Sequence, residues 1–189
     1  MKNSKAGFSL VELLMVVTII ILMSTIVLVS FRSGQDQFTL QRAAHLLAQD
    51  IRRAQELAMR AEDFHGTVSR GGFGVHLTTG ASSYVLFADC DNGRDFDLTG
   101  SATSCVTATT ASGGSFPEQL ESRTFEAGVT ITSITPAASS TIVFIPPRPV
   151  TQIRSGGSVV TSTTITLGIS GLAQTQRVFI NNAGLITIE

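Results

Sequence analysis

A long apolar run near the N-terminus limits what this chain can fold into. Residues 8–31 form a run of 24 whose only polar members are Ser9, Glu12, Thr18, Ser24, Thr25 and Ser30. A helix of this length is about 36 Å long, because each residue adds about 1.5 Å. The hydrocarbon core of a bilayer is about 30 Å thick. The run therefore predicts a transmembrane helix over residues 8–31.

The residues that flank the run predict its orientation. Lys2 and Lys5 precede it, and positively charged residues favour the cytoplasmic side of a membrane. No small-residue cleavage site of the A-x-A kind follows at residues 27–35. We therefore expect the helix to be retained rather than removed as a secretory signal. The chain is predicted to cross the membrane once, with its C-terminal domain outside the cytoplasm.

Glu12 places a carboxylate near the start of this apolar run. A charged residue at the centre of a bilayer costs about 2.5–3.5 kcal/mol on insertion scales, and less near the interface. Glu12 is therefore predicted to have a partner. The alternative is that its carboxylate reaches the cytoplasmic headgroups.

The charge balance argues against a nucleic-acid ligand. Both lysines precede the apolar run, and the rest of the 189-residue chain carries 11 arginines against 14 acidic residues. Nucleic-acid binding relies on a surplus of basic side chains. The roughly 155 residues that follow the run suit one domain.

A helical pattern resumes after a polar interruption at Arg32-Ser33-Gly34. Glycine there costs a helix about 1 kcal/mol relative to alanine. Beyond it, apolar residues recur at steps of three and four, at Phe38, Ala43, Leu46, Leu47, Ala54, Leu57 and Ala58. This spacing predicts that residues 32–62 continue the helix and offer one apolar stripe to a folded domain.

From Thr67 onward the pattern changes to the two-residue alternation of β-strands. Phe73, Val75 and Leu77 alternate with other residues, and a turn at 78–83 separates them from a second strand at 84–88, which predicts a β-hairpin. Further strands rich in Thr, Val and Ile are predicted at 123–125, 129–134, 141–145, 159–169, 177–180 and 185–188, with a tight turn at 181–184. The predicted fold class is α+β, a long N-terminal helix packed on an antiparallel sheet, with residues 63–189 as the globular domain.

An acidic segment at residues 89–97 is a candidate calcium site. Four carboxylates stand within nine residues, and Gly93 permits a sharp turn between them; they are Asp89, Asp91, Asp95 and Asp97. Calcium takes about six to eight oxygen ligands from flexible loops. The spacing does not match an EF-hand, so a solvated acidic turn is the alternative.

Two cysteines lie on the side predicted to be outside the cytoplasm, where disulfides persist. Their even number predicts a bridge between Cys90 and Cys105. In the chain-entropy model, closing a loop of about 15 residues stabilises a fold by about 3 kcal/mol.

The sequence gives little support to a catalytic function. The chain has three histidines, His45, His65 and His76, and no G-x-S-x-G or H-E-x-x-H motif. His76 is out of step with its apolar neighbours and is expected to point to solvent. The chain is therefore predicted not to be an enzyme. A membrane-anchored ligand-binding or adhesive module, and a membrane-anchored enzyme, are the alternatives to a structural role.

The stretch Gly7-Phe8-Ser9-Leu10-Val11-Glu12 resembles the processing site of type IV prepilins and type II secretion pseudopilins. The resemblance implies a leader of residues 1–7, cleavage after Gly7 by a prepilin peptidase, and N-methylation of Phe8. It also implies that Glu12 meets the terminal amine of a neighbouring subunit in the filament. Opposite charges attract strongly in a low dielectric, and either one alone is costly there.

Beyond the leader the chain is similar to minor pilins of the GspH/FimT kind. The similarity involves residues 41–60, the hairpin that ends in 85–89, and Gly184-Leu185-Ile186. It implies a structural subunit that an inner-membrane platform assembles with other pilins into a type IV pilus or a type II secretion pseudopilus. DNA-binding members of that group carry arginines near the C-terminus, where this chain has only Arg177, so we expect no direct DNA binding.

Overall fold

The computed structural model describes residues 9–64, 67–69, 71–90, 92–96, 118–126, 128–146 and 150–189. It contains one helix, α1, over Leu10–Arg60. The chain divides into two compact units, one ending at Phe38 and the other covering Thr39–Glu189. Helix α1 runs through Gly34 without a break, because helix propagation is cooperative and one glycine costs only about 1 kcal/mol.

The end of α1 is closed by a Schellman motif. Ala61 has a left-handed φ of 48°. The amide of Glu62 donates to the Leu57 carbonyl at 3.1 Å, and the amide of Ala61 donates to the Ala58 carbonyl at 3.1 Å. Glycine usually occupies this position, so the sequence carries no strong stop signal where the helix ends.

In the N-terminal unit, one segment of α1 is long and apolar enough to cross a membrane. This segment is Leu10–Val27, and its side chains are exposed throughout. Two of its polar residues are satisfied within the helix, since the Thr18 hydroxyl donates to the Met15 carbonyl at 2.8 Å and the Thr25 hydroxyl to the Ile21 carbonyl at 2.6 Å. These bonds remove much of the cost of placing hydroxyls in an apolar environment.

In the C-terminal unit, α1 buries a stripe of small and branched residues. Its fully covered members are Leu40, Ala43, Ala44, Leu47, Ala48, Ile51, Ala54 and Ala58. Phe38 and Leu46, which the sequence pattern assigned to the stripe, are exposed instead. Leu46 lies about 100° around the helix from Leu47, which puts it at the flank of the contact.

Within the described part of the chain, twelve strands follow the helix. They are β1 Asp63–Phe64, β2 Thr67–Val68, β3 Gly72–Thr78, β4 Ser83–Asp89, β5 Gln119–Thr124, β6 Val129–Thr135, β7 Ser139–Ile145, β8 Val150–Ser155, β9 Ser158–Val160, β10 Ser162–Ile169, β11 Thr175–Asn181 and β12 Ile186–Ile188. The predicted hairpin is confirmed as β3 and β4, paired from Gly72–Asp89 to His76–Val85. The predicted turn at 181–184 is confirmed between β11 and β12, which pair antiparallel.

The strands form two larger antiparallel sheets rather than the single one predicted. One sheet has six strands in the order β5-β4-β3-β7-β8-β9, and the other has four in the order β12-β11-β10-β6; β1 and β2 pair separately. The predicted strand 159–169 is divided at Thr161, so that β9 joins the first sheet and β10 the second. Strand β8 was not predicted, because Thr151 and Ser155 occupy buried positions where an apolar pattern would need hydrophobic residues.

The main core joins the helix stripe to residues of both larger sheets. Phe73, Val75 and Leu77 of β3 face this core, while a second cluster of Phe87, Phe96 and Val143 is separate from it. Successive strand residues point to opposite faces. Phe87 and Val143 therefore define the second face of the six-stranded sheet, which is covered by Phe96.

Candidate functional site

Glu12 lies in the first turn of α1. The helix begins with the amide of Leu13 donating to the Ser9 carbonyl at 3.1 Å. A carboxylate in a first turn is favoured by the helix dipole. Within the described residues the Glu12 carboxylate has no hydrogen-bond or ion-pair partner. Gly7 and Phe8 lie outside the described residues, so cleavage and N-methylation stay predictions, as does the assembly role of Glu12.

The apolar surface around Glu12 is large and uncovered. Leu10 is 77% exposed, and every side chain from there to Val27 is exposed as well. Contiguous apolar surface of this extent is typical of a membrane or protein contact. This part of the helix therefore needs lipid or other chains around it.

Asp89 organises the acidic segment. Its carboxylate is fully buried. One oxygen accepts the Asn92 amide at 2.8 Å and the other accepts the Arg94 amide at 2.8 Å. Asn92 and Arg94 have left-handed φ values of 66° and 60°. Residues other than glycine adopt such values only in a few per cent of cases. Asp89 thus acts as the cap of this turn.

Gly71 makes the buried position of Asp89 possible. A Cβ on Gly71 would lie 2.1 Å from the Asp89 side-chain carbon. The next residue, Gly72, has a φ of 104°, and a Cβ there would meet the Phe144 carbonyl oxygen at 2.1 Å. Sequence reasoning missed both residues, although the Gly71-Gly72 pair directly before a predicted strand is a signal for close backbone approach.

Asp95 ties the same segment to β7. Its Oδ1 accepts the Thr141 hydroxyl at 2.6 Å and the amide of Phe96 at 3.0 Å. Its Oδ2 lies 3.9 Å from Arg154 Nε on β8. Asp89 and Asp95 thus already accept protein donors, while Asp91 and Asp97 lie outside the described residues.

The calcium site stays a prediction. In the described part of the chain no group of three or more His, Cys, Asp or Glu side chains is placed to hold a metal ion. Calcium would need the two undescribed carboxylates and backbone oxygens to supply much of its coordination.

The prediction that His76 points to solvent is wrong. It is half-buried, its Nδ1 lies 2.9 Å from Thr141 Oγ1, and its ring centroid lies 5.6 Å from that of Phe96. Burial lowers the pKa of His76, and the negative charge of Asp95 acts in the opposite direction. Strand alternation placed His76 correctly on the second face, but it could not show that the segment with Phe96 covers that face.

Cys90 is buried beside the same segment. Its amide donates to Glu118 Oε1 at 3.2 Å. Cys105 lies outside the described residues, so the Cys90–Cys105 disulfide stays a prediction. His65 also falls outside the described residues, and His45 is exposed on α1.

A polar contact fastens α1 to the six-stranded sheet. The Tyr84 hydroxyl donates to Asp50 Oδ2 at 2.6 Å, and Arg123 Nε lies 3.4 Å from the same oxygen. Burial raises the pKa of Tyr84, and the bond to Asp50 raises it further. Tyr84 also packs on Phe125, with ring centroids 5.0 Å apart. The sequence analysis did not identify this contact, because Asp50 and Tyr84 are 34 positions apart in the chain.

Comparisons with known proteins bear on the N-terminal segment. Residues 2–28 match the family model described as the prokaryotic N-terminal methylation motif. Among solved structures, the chain is similar to the minor pseudopilin EpsH from the type 2 secretion system of Vibrio cholerae. The identity is 12%, the match covers 79% of this chain and 95% of that chain, and the TM-score is 0.39. No curated protein matches the sequence.

The matched motif spans Gly7, Phe8 and Glu12 and leads into the exposed apolar helix. A domain with two larger antiparallel sheets follows it in the chain. The chain therefore combines a methylation motif with an exposed apolar helix and a domain of antiparallel sheets.

Proposed function

We propose that this protein is a minor pilin or pseudopilin that is cleaved after Gly7, methylated on Phe8 and assembled from the inner membrane into a type IV pilus or a type II secretion pseudopilus. The observation that carries the proposal is the exposed apolar helix Leu10–Val27 with one carboxylate in its first turn. Such a surface suits a bilayer before assembly and the helices of neighbouring subunits after it.

Glu12 would set the register of each new subunit. Cleavage after Gly7 creates a positively charged amine on Phe8, a few residues from Glu12. Between neighbouring subunits, the amine of one and the carboxylate of the other would pair in an apolar environment. Removing one partner leaves the other charge buried and unpaired, which is strongly destabilising.

Mass spectrometry of the protein isolated from its own membrane tests the processing step. We expect the mature chain to begin with N-methylated Phe8. A mature chain that begins at Met1, or at a residue beyond Phe31, would contradict the proposal.

Replacing Glu12 by Ala tests the assembly step. We expect Glu12→Ala to insert into the membrane like the wild type, while its amount in the sheared filament fraction falls about tenfold or more, as loss of a paired buried charge implies. Glu56→Ala is the matched control, because Glu56 is an exposed acid on the same helix, paired with Arg60. Equal amounts of Glu12→Ala and Glu56→Ala in the filament fraction would contradict the pairing role of Glu12.

We also propose that the role is structural rather than catalytic. Of the described histidines, His45 is exposed on α1 and His76 is hydrogen-bonded beneath Phe96. A membrane-anchored binding module or enzyme would not need Glu12 for its activity. The filament assay therefore separates the structural role from these alternatives.

A further inference from the structure

The described part of the acidic segment lies on the second face of the six-stranded sheet. We call residues 92–96 the acidic loop. Phe96 is only 7% exposed, and its ring centroid lies 5.5 Å from Phe87 and 5.6 Å from His76. Phe96, Phe87 and Val143 form an apolar cluster distinct from the main core. The acidic loop is therefore the cover of this small cluster.

Polar bonds fix the acidic loop to the strands beneath it. Arg94 Nη1 donates to Gln152 Oε1 at 2.8 Å, and Arg154 Nη1 donates to the Gly93 carbonyl at 3.1 Å. Asp95 accepts the Thr141 hydroxyl. Thr141 lies opposite His76 on one side and opposite Arg154 on the other. These residues form one polar row across β3, β7 and β8.

The direction of the bonds in this row places a proton on Nδ1 of His76. A threonine hydroxyl has one proton, and Thr141 donates it to Asp95 Oδ1 at 2.6 Å. Thr141 must therefore accept from His76 Nδ1, which lies at 2.9 Å. In a neutral imidazole with a proton on Nδ1, Nε2 is an acceptor, and Thr78 Oγ1 lies 3.4 Å from it. The neutral ring thus satisfies the whole row.

The charged groups around His76 come from the acidic loop and from β8. Asp95 reaches His76 through Thr141 and favours the charged ring. Arg154, on β8, lies next to Asp95, and its positive charge disfavours the charged ring of His76. Arg94 is engaged with Gln152, and β4 places the apolar Val85 opposite His76. Burial beneath Phe96 outweighs Asp95, so that the pKa of His76 is lowered from its ordinary value of 6.5.

We propose that the acidic loop is a pH-sensitive cover, which protonation of His76 releases from the sheet to expose the apolar surface of Phe87 and Val143. An imidazolium gains hydration when Phe96 moves away, because burial penalises its charge. Between the ordinary and the lowered pKa, the open form binds a proton that the closed form does not, so acidification favours opening. This inference does not depend on the proposed function.

Hydrogen exchange of the full-length protein in detergent micelles tests the inference. Amide protection is measured by mass spectrometry at about pH 7.5 and about pH 5.5, corrected for the intrinsic exchange rate, with a chelator present throughout. We expect protection of residues 92–96 to fall by up to about tenfold at the lower pH, the limit for one proton over one pH unit below the ordinary pKa. Protection of β11 serves as the reference and should not change.

Two variants isolate His76 as the cause. Asparagine can donate from nearly the position of Nδ1 and does not titrate, so His76→Asn should remove the pH response of the loop. His45→Asn changes an exposed histidine on α1 and should leave the response intact. A response that persists in His76→Asn, or wild-type protection that is equal at both pH values, would overturn the inference.

A fluorescence reporter keeps the inference testable if His76→Asn fails to fold. The chain has no tryptophan, so Phe96→Trp introduces a single tryptophan into the cover, which can be excited at wavelengths that Tyr84 does not absorb. Its emission should shift to longer wavelength and become more accessible to acrylamide between about pH 7.5 and about pH 5.5, following the proton linkage. Emission and quenching that stay constant over this range would count against the cover.

Discussion

Asp89 shows how much of the acidic segment depends on one side chain. Its buried carboxylate accepts the amides of Asn92 and Arg94, which hold two left-handed residues in place. The sequence analysis named Asp89 as one of four candidate calcium ligands, with a solvated acidic turn as the alternative. The structure places its two oxygens on backbone donors, a role that depends on Gly71 leaving room for the carboxylate.

Replacing Asp89 by Ala should lower the free energy of unfolding by about 3 kcal/mol, because each hydrogen bond to a charged group contributes about 1.5–3 kcal/mol. Asp89→Asn keeps one acceptor and should cost less. Chemical denaturation of the full chain in micelles measures both. Asp63→Ala, at an exposed aspartate, is the control and should change stability by less than about 0.5 kcal/mol. A loss in Asp89→Ala no larger than in Asp63→Ala would refute the capping role.

Tyr84 is the only tyrosine of the chain, so its titration can be followed directly. Tyr84→Phe removes only the hydroxyl that donates to Asp50 and should destabilise the fold by about 1.5 kcal/mol.

The raised pKa of Tyr84 adds a pH dependence. The unfolded chain releases the phenol proton near pH 10 while the folded chain retains it, so the stability due to this bond is present below pH 10 and is lost above it. Absorbance of tyrosinate should therefore appear only well above pH 10 in the native protein. Ionisation at an ordinary pKa in the folded state would contradict the bond.

At the scale of elements, α1 combines two different surfaces. Residues Leu10–Val27 are apolar on every side, while the stripe in the C-terminal unit is narrow and rich in alanine. Small residues let the helix backbone lie close to the sheets. The spacing of apolar residues predicted the stripe. It wrongly included Phe38 and Leu46, which are exposed, because the width of the stripe depends on the surface that the helix packs against.

Ala48→Leu tests this close approach. Ala48 is fully buried, and added methyl groups in a packed core cost about 1–3 kcal/mol. We expect a lower melting temperature, measured by circular dichroism. Gln49→Leu is the control, because it adds a similar side chain at the exposed neighbouring position. Equal melting temperatures for Ala48→Leu and the wild type would contradict close packing at this position.

Strands were easiest to predict where their apolar pattern was regular. The β3–β4 hairpin follows from Phe73, Val75 and Leu77, all of which face the main core. β8 has polar residues at two of its buried positions and was missed. The division of 159–169 into β9 and β10 was also missed, because both halves have the same local composition and differ only in the sheet that they join.

At the scale of the whole molecule, the predicted Cys90–Cys105 bridge would close a loop that contains the acidic loop. A reductant should lower the melting temperature of the wild type, because the bridge is expected to contribute about 3 kcal/mol. The double variant Cys90→Ser and Cys105→Ser should melt at the lower temperature with or without reductant. If the wild type melts at the same temperature with and without a reductant that reaches the unfolded chain, the prediction of the bridge is wrong.

The sequence by itself determined the long apolar run, the position of Glu12 and the N-terminal methylation motif, because these depend on a linear pattern of neighbouring residues. The tertiary structure alone decided that there are two larger sheets, that Asp89 caps a turn and that His76 is covered. Each of these depends on residues distant in the chain, as when Thr141 bonds both Asp95 and His76, 46 and 65 positions away. Local propensity carries no information about which distant segment will cover a given face, and that cover decides the burial and charge of the groups beneath it.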